Sequence, residues 1–276
     1  MLIVNLTTIN TRLDLCAATL WSLIHQEVLP DYIYLWVSSE PYLSDEGMNF
    51  IPEFIHELNE IHNIIKVVYT ENTGPYRKII PALRSFSNDD ILVYADDDVI
   101  YSRFWLKKMM DKFNFYDGGC IVAPRVRLMS KNLFGHLKSY SEFDVLDKEK
   151  VLSDGYIITG VGGCLLKKGH VNESLYRLDD YLNLAPKTDD LWLSKIFQLS
   201  QAKLVCAPEI MGDIHEIKHA RFALTNENTI FNNGSGFFKI FYKIKTKISG
   251  YLGLENTNND LSLIKIKDFF SSYKRM

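Results

Sequence analysis

The stretch that decides the fold is residues 91–100, ILVYADDDVI, in which a short apolar run ends in three consecutive aspartates. Ile91, Leu92 and Val93 favour a β-strand, and an unbroken apolar run of this length is typical of a buried strand. In an open α/β sheet, ligands bind beyond the carboxyl ends of the strands. The aspartates at 96–98 therefore stand where such a fold places its ligand.

Three adjacent carboxylates repel one another, so they favour either bulk water or a bound cation. On an extended chain Asp96 and Asp98 point to the same side and can share one hard divalent ion through oxygen. A solvated acidic turn is the alternative interpretation of the same residues. The apolar residues on both sides of the motif favour the metal site.

Length and composition indicate a globular chain with a large core. A chain of 276 residues, 47% of them hydrophobic, buries about three quarters of its unfolded surface. The net charge of −3 argues against nucleic-acid binding through bulk charge. No apolar run reaches the length of a membrane span, and Met1 leads into strand-like sequence without a signal peptide. Scattered cysteines without a CxxC spacing favour reduced core residues in a cytoplasmic protein: Cys16, Cys120, Cys164 and Cys206.

Strand and helix patterns alternate through the first third of the chain. Strands are predicted at residues 2–6, 32–37, 64–69 and from 91, and helices at residues 11–27, from 52 and 76–86. Thr11 and Asp14 form a plausible capping box for the first helix. This alternation predicts a parallel sheet with right-handed crossovers, an architecture that binds nucleotides.

The loops after these strands gather on one edge of the sheet and carry candidate ligand-binding groups. The candidates are Thr7, Thr8 and Arg12 after the first strand, Ser38 after the second, and Gly74 and Lys78 after the third. Gly74 and Pro75 predict a turn, and two cations near a helix N-terminus, Arg77 and Lys78, suit a diphosphate. Spacing alone favours the alternative, an exposed face with solvated charges.

Five segments together carry a resemblance to a known family: LTTINTR, TENTGPYRKIIPAL, YADDDVI, YIITGVGGCLL at 156–166 and APKTDDLWLSKIF at 185–197. Over about residues 1–200 the chain resembles a bacterial nucleotide-sugar glycosyltransferase of the GT-A fold. It is similar to glycosyltransferase family 2, and in particular to its capsule and lipopolysaccharide members. The resemblance implies a Rossmann-like, mostly parallel α/β sheet flanked by helices.

The resemblance also implies a cofactor, a donor and an acceptor. Asp96 and Asp98 would hold Mn²⁺ or Mg²⁺ on the diphosphate of a nucleotide-sugar donor, with Asp97 near the ribose or the sugar. A UDP-sugar is the expected donor, and a hydroxyl of a glycan or glycolipid is the expected acceptor. Some enzymes of this fold recruit a late histidine as a further ligand, which makes His215 a candidate. His215 and His219 would share one face of a helix, and a surface pair is the alternative.

The glycines of TGVGGC, residues 159–164, do not form a dinucleotide fingerprint, because no helix pattern follows them. They predict a loop whose backbone approaches a ligand closely, since glycine has no side chain in the way. The resemblance places Gly162 and Gly163 beside the donor. A bulged strand is the alternative.

The segment TDDLWLSKIF is a second acidic centre, in which Thr188 can cap a helix with Asp189 and Asp190 in its first turn. An ordinary helix start explains these residues without any function. One of the two can also deprotonate an acceptor hydroxyl. The resemblance assigns this role to the second residue, Asp190, with Asp189 as the alternative, and implies an inverting reaction.

The expected domain organisation is a catalytic domain at 1–221, divided near residue 100 into a nucleotide-sugar half and an acceptor half, and a helical extension at 222–276. Within the extension, FFKIFYKIKTKI at 237–248 mixes lysines with aromatic residues. Such a helix either lies on the anionic inner face of the cytoplasmic membrane or packs on the catalytic domain. Two other functions stay open: a retaining transferase similar to exostosin-type enzymes, and a catalytically silent nucleotide-sugar-binding subunit of a polysaccharide assembly complex.

Overall fold

The computed structural model describes residues 1–218, 249–254 and 257–273 of the chain. Its strands are β1 (Leu2–Thr7), β2 (Tyr32–Val37), β3 (Ile65–Tyr69), β4 (Ile91–Tyr94), β5 (Val99–Tyr101), β6 (Cys120–Ala123), β7 (Val126–Leu128), β8 (Asp144–Val145), β9 (Lys150–Leu152), β10 (Tyr156–Ile158), β11 (Cys164–Lys167), β12 (Lys203–Cys206) and β13 (Ile214–Glu216). Its α-helices are α1 (Leu13–Ile24), α2 (Glu53–Ile61), α3 (Ile80–Ser85), α4 (Trp105–Phe115), α5 (Glu173–Tyr176), α6 (Tyr181–Leu184), α7 (Asp189–Leu199) and α8 (Asn258–Tyr273).

The largest sheet has eight strands in the order β3-β2-β1-β4-β11-β6-β12-β9. Strands β3, β2, β1 and β4 are parallel, which confirms the expected architecture of the first third of the chain. Strand β11 lies between β4 and β6 and is antiparallel to both. Two small sheets, β10-β7-β8 and β13-β5, lie outside the main one. The predicted α/β fold with a mostly parallel sheet is thereby confirmed.

Alternate residues of the central strands enter two separate apolar cores, as the two-residue period of a strand requires. Ile3 and Leu92 belong to one core, whereas Val4 and Val93 belong to the other. Helices α3, α7 and α8 contribute side chains to the first core, and α1, α2 and α4 contribute to the second. The sheet is thus covered on both faces, and its loop edge is left as the place for a ligand.

Two local expectations for the helices are wrong. The helix expected at 76–86 is divided into a 3₁₀ turn, Gly74–Lys78, and helix α3. Pro81 explains the division, because it has no backbone N–H and its ring clashes with the carbonyl four residues earlier. The capping box is also absent: Thr11 lies in the 3₁₀ turn Asn10–Arg12, and α1 begins after it without a side-chain cap.

The C-terminal helix α8 packs on the catalytic sheet through α7. The ring centroids of Phe269 and Phe270 lie 5.9 and 5.0 Å from that of Trp192, and Ile266 is buried beside them. This helix is therefore part of the core, whereas residues 237–248 lie outside the described residues. None of the helices within the described ranges is long and apolar enough to cross a membrane.

Candidate active site

A cleft of about 620 Å³ opens at the carboxyl ends of β1 and β4 and reaches the start of α7. Most of the residues singled out from the sequence lie in its lining: Thr7, Thr8, Arg12, Gly74, Lys78, Asp96, Asp97, Asp98, Asp189 and Asp190. Residues up to 98 come from loops that follow three parallel strands, and the last two come from the first turn of α7. The structure thus joins the two acidic centres, which lie far apart in the sequence, in one cavity.

Asp97 is the buried member of the aspartate motif. Thr8 Oγ1 donates a hydrogen bond of 2.6 Å to Asp97 Oδ2, and Arg12 Nη2 lies 2.6 Å from Asp97 Oδ1. Burial raises the pKa of Asp97 to about 6, although the charge of Arg12 acts in the opposite direction. Both carboxylate oxygens of Asp97 thus contact side chains of the loop after β1. Asp97 therefore links the loop after β4 to the loop after the neighbouring strand β1.

Asp96 and Asp98 are the exposed members of the motif, each with 27% of its side chain accessible in the cleft. Residues 97 and 98 form a turn, so the expectation that this segment is extended is wrong. Asp96 and Asp98 are nevertheless both accessible, as expected. Lys78 Nζ lies 2.8 Å from Asp96 Oδ1, and Arg12 Nη2 lies 2.7 Å from Asp98 Oδ2. Each exposed carboxylate thus faces one cation.

The donor chemistry of Asp96 and Asp98 fits a hard divalent ion, because both offer accessible carboxylate oxygens. Among the described residues, no three histidines, cysteines or acidic residues gather into a group that would hold a metal by itself. Mg²⁺ is commonly bound by one or two carboxylates together with the phosphates of a substrate. The arrangement therefore suits an ion whose coordination a diphosphate completes.

Lys78 is a buried cation that joins the two acidic centres. Its Nζ lies 2.8 Å from Asp96 Oδ1 and 2.9 Å from Asp189 Oδ2, and 7% of its side chain is exposed. Burial acts to lower the pKa of Lys78, but the negative charges of Asp189, Asp96 and Asp190 raise it well above its ordinary value. The neighbouring Arg77 is buried as well, and its Nη2 lies 2.8 Å from Asp45 Oδ2. The expectation of a solvated basic face is therefore wrong, because both cations have buried acidic partners.

The two acids of α7 differ in what they contact. Asp189 is held in the ion pair with Lys78. Asp190 Oδ2 accepts a hydrogen bond of 3.1 Å from the backbone N–H of Gly160, while its Oδ1 has no hydrogen-bond partner among the described residues. Burial, followed by the charge of Asp189, raises the pKa of Asp190 to about 8. Asp190 is thus the carboxylate with an unused acceptor atom and a pKa near neutrality.

Gly160 is the glycine that lies at the centre of the site. A Cβ atom at this position would lie 2.9 Å from Lys78 Nζ, 3.1 Å from Asp96 Oδ2 and 3.2 Å from Asp190 Oδ1. Gly162 and Gly163, the two glycines expected beside the donor, are not among the residues that line the cleft. Gly163 instead packs on Trp105 with a positive φ of 73°. The loop does approach the site closely, as predicted, but through the residue at the start of the 3₁₀ turn Gly160–Gly162.

We expect the metal-free protein to become less stable as the pH rises from about 4 to about 8. The native pKa of Asp190, about 8, exceeds its ordinary value of 3.8, so the native state binds the proton more tightly and loses that advantage on titration. Asp190→Asn removes this proton and should flatten the slope. Chemical denaturation at several pH values, in the presence of a chelator, measures the difference.

Asp147→Asn is the matched control, because Asp147 is exposed and lies outside the cleft. Its unfolding free energy should follow that of the wild type at every pH. Equal slopes for the wild type and Asp190→Asn would show that Asp190 titrates normally.

Besides Gly162 and Gly163, two predicted site residues lie outside the lining of the cleft, namely Ser38 and His215. Ser38 is buried, and its Oγ accepts a hydrogen bond of 3.1 Å from the backbone N–H of Glu40, so it shapes the loop after β2. His215 lies in strand β13, so the helical premise for the HxxxH pair is wrong. The Nε2 atom of His215 lies 3.2 Å from Ser102 Oγ on the surface, and His215 is not among the residues that line the cleft. His219 lies outside the described residues.

Several polar residues that the sequence did not point to also line the cleft: Asp45, Arg125, Arg127, Tyr140 and Lys187. Arg125 lies in the short connection between β6 and β7, so the rule that loops after strands carry ligands points to it, whereas Arg127 lies within β7. The guanidinium carbon of Arg127 lies 5.1 Å from the ring centroid of Tyr140, in a cation–π contact. No pattern in the sequence points to Tyr140, which reaches the cleft through tertiary packing.

No protein-family model matches the chain, and no curated protein matches it at a significant level. A mannosyltransferase from Pyrobaculum calidifontis, solved in complex with GDP-mannose and Mn²⁺, aligns over 99% of this chain and 75% of its own, with 16% identity and a TM-score of 0.50. A 2-C-methyl-D-erythritol 4-phosphate cytidylyltransferase from Francisella tularensis aligns over 71% of this chain and 85% of its own, with 15% identity and a TM-score of 0.40. The similarity to the mannosyltransferase shows the fold alone. The reaction has to be inferred from the chemistry of the cleft. The chain therefore has the GT-A-like α/β fold that its sequence predicts.

Proposed function

We propose that this protein is a metal-dependent glycosyltransferase that moves a sugar from a nucleoside diphosphate donor to a hydroxyl of a glycan or glycolipid. One observation carries the proposal. A single cleft, at the ligand-binding edge of the sheet, holds two accessible carboxylates, Asp96 and Asp98, and a third, Asp190, with an unused acceptor oxygen. This combination suits a reaction in which a charged leaving group departs while a hydroxyl loses a proton.

The donor side of the cleft is formed by the loops after β1, β3 and β4. Asp96 and Asp98 would hold a divalent ion, Mn²⁺ or Mg²⁺, and the mannosyltransferase of similar fold was solved with Mn²⁺. When bound, such an ion neutralises negative charge on the departing diphosphate. Arg12 and Lys78 contact these carboxylates in the free protein and line the same cleft, so a bound diphosphate would meet both positive charges. We propose a UDP-sugar as the donor.

Asp190 is the proposed general base. Its Oδ2 accepts a hydrogen bond from the N–H of Gly160, which fixes the carboxylate. Its Oδ1 is buried and has no hydrogen-bond partner among the described residues, and we propose that this oxygen accepts the proton of an acceptor hydroxyl. A raised pKa favours this role, because a base works best when its pKa lies near the working pH. Attack by the deprotonated hydroxyl on the face opposite the leaving diphosphate would invert the anomeric centre.

Asp189 has a different part in this proposal, since its charge is balanced by Lys78. The same lysine contacts Asp96, so one buried cation fixes the distance between the donor side and the base. The charge of Asp189 also contributes to the raised pKa of Asp190. Asp189 is therefore a positioning residue, which acts through Lys78 and Asp190.

Mn²⁺ and UDP together should stabilise the protein far more than either one alone. Asp96 and Asp98 each face a cation in the free protein, so the ion alone has a weak site that the diphosphate completes. At about a hundredfold excess over Kd, the gain is about 2.7 kcal/mol. Thermal unfolding with UDP, Mn²⁺, both, or UDP with a chelator measures it, and GDP in place of UDP tests the base of the donor.

Asp98→Asn should lose the joint effect, and the exposed Asp147→Asn should keep it. Release of UDP from a UDP-sugar, with and without acceptor, then separates an enzyme from a silent binding subunit. An equal shift with Mn²⁺ and with the chelator, together with full activity of Asp98→Asn, would remove the metal site from the proposal.

A further inference from the structure

Residues 131–138, KNLFGHLK, form a turn whose tip carries two large apolar side chains in solvent. Leu133 is 92% exposed and Phe134 is 74% exposed. A single exposed apolar side chain is ordinary on a protein surface. Two neighbours at the tip of one turn form a small apolar projection, and the proposed reaction makes no use of it.

The turn is held in place by Asn132, which is buried at its base. Asn132 Oδ1 accepts hydrogen bonds of 2.9 and 3.0 Å from the backbone N–H groups of Phe134 and His136. Asn132 Nδ2 donates a hydrogen bond of 3.1 Å to the carbonyl of Tyr251. Gly135 has a φ of 82°, a conformation that suits glycine. The hydrogen bonds of Asn132 therefore fix the backbone of the turn. Leu133 and Phe134 are thus held in exposed positions before any contact with a partner forms.

The surroundings of the tip are cationic. Along the sequence, no acidic residue occurs between Asp117 and Glu142. The exposed Lys131 and the half-buried Lys138 flank the tip, and Lys138 Nζ lies 5.5 Å from the ring centroid of Tyr251. Among the acidic side chains on the other elements, that of Asp260 accepts a hydrogen bond from the backbone N–H of Tyr140. A second cavity of about 460 Å³ lies behind the turn, between it and helices α7 and α8. Its lining is mainly apolar, contains no acidic residue among those described, and includes three lysines: Lys131, Lys195 and Lys267.

We propose that the turn at 131–138 docks the protein on an anionic lipid bilayer, with Leu133 and Phe134 in the interface and Lys131 and Lys138 at the headgroups. An apolar projection with basic flanks matches such a surface, since the tip gains burial and each lysine is attracted to anionic lipids. A protein partner fits less well. A stable protein interface covers about 800 Å² on each side, which is far more than two side chains offer.

Docking through this turn also suggests the direction from which an acceptor enters, a point that rests on the proposed function. Leu191, the residue after the proposed base, lines both the catalytic cleft and the second cavity. The second cavity thus lies between the docking turn and Asp190. Among the proposed acceptors, this placement favours a glycolipid whose apolar part stays near the bilayer.

The test uses the full chain and vesicles of phosphatidylcholine, with or without phosphatidylglycerol, in a co-sedimentation assay. The wild type should bind the anionic vesicles. Leu133→Ser with Phe134→Ser should weaken partitioning by about tenfold or more, because the buried apolar area is lost. Lys131→Gln and Lys138→Gln should each weaken it by about fivefold. Phe115→Ser is the matched control, because Phe115 is 76% exposed and lies outside the turn.

A second measurement reports insertion directly. Phe134→Trp should add a fluorescence component that brominated lipids quench, whereas Phe115→Trp should add one that they do not. Three results would overturn the proposal: no binding by the wild type, equal binding by the Leu133/Phe134 double variant, or loss of binding only when the lysines at 237–248 are replaced. A double variant that changes self-association without vesicles, and keeps vesicle binding, would assign the tip to a protein interface instead. Vesicle binding and the UDP–Mn²⁺ thermal shift are independent, so failure of one proposal is distinguishable from failure of the other.

Discussion

Asp190→Asn should lower the turnover of sugar transfer by about 10²–10⁴-fold, the contribution that a general base typically makes. The change is nearly isosteric, and the amide oxygen can still accept the hydrogen bond that Gly160 donates to Asp190 Oδ2. What is lost is the ability of the side chain to take up a proton. The joint UDP and Mn²⁺ thermal shift should persist, because the donor is held by other residues. Steady-state kinetics on an acceptor that supports wild-type turnover, together with that shift, measure both effects.

Asp189→Asn is the matched comparison, because the two acids are neighbours in the same helical turn. Asp189 lies 2.9 Å from the buried Lys78, so its neutralisation leaves that cation with less compensation and should lower thermal stability. Turnover should fall by less than it does in Asp190→Asn. If Asp189→Asn is the silenced variant and Asp190→Asn stays active, the roles are reversed. If both retain near-full turnover, the acidic pair only begins the helix, and an inverting mechanism has no base.

Gly160→Ala should produce a folded protein with turnover reduced by about 10²-fold, the cost of misplacing reacting groups by about 1 Å. The added Cβ would come within 3.2 Å of atoms in three side chains of the site, those of Lys78, Asp96 and Asp190. These atoms are the ends of side chains and can move aside, so folding is preserved. The movement, however, separates the groups that the site holds together. Thermal unfolding and kinetics on the same preparation distinguish the two effects.

Two other glycines serve as controls for this substitution. Gly212→Ala should change neither stability nor turnover, because a Cβ there would meet nothing within 4 Å. Gly163→Ala should mainly destabilise the protein, since its Cβ would lie 2.6 Å from Trp105 Cζ2 at a position with positive φ. Unchanged kinetics for Gly160→Ala would show that the crowding at this glycine has no bearing on the reaction.

The sequence predicted the first four strands and the acidic loop well, because their signals are local. The apolar run of β4 and the alternation of strands with helices depend only on neighbouring residues. The position of a ligand edge then follows from topology, which brought Thr8, Arg12 and Asp96 to one cleft. Local signals did not identify which glycine of the loop lies nearest the acidic side chains: it is Gly160, two positions before the predicted Gly162.

The burial of Lys78 and Arg77 could not be predicted from spacing. Their acidic partners, Asp189 and Asp45, are distant in sequence, so only the assembled fold shows that both charges are compensated. The same reason applies to His215, whose short strand is formed by pairing with β5. The spacing of apolar residues along the chain indicates whether a segment is a helix or a strand. It does not indicate which other element that segment pairs with or packs on.

Strand β11 has a consequence for how the chain is made. It pairs with β4 on one side and β6 on the other, although it follows β4 by a long stretch of sequence. In a nascent chain that ends near residue 100, one edge of β4 would have unpaired backbone N–H and C=O groups. Such an edge pairs readily with other chains and promotes aggregation. The central sheet closes only after residue 167 has been synthesised, and pairing across so long a loop is slow. The nucleotide-sugar half and the acceptor half expected from the sequence share this central sheet. We therefore expect them to fold as one unit, and we expect neither half to be soluble as a separate fragment.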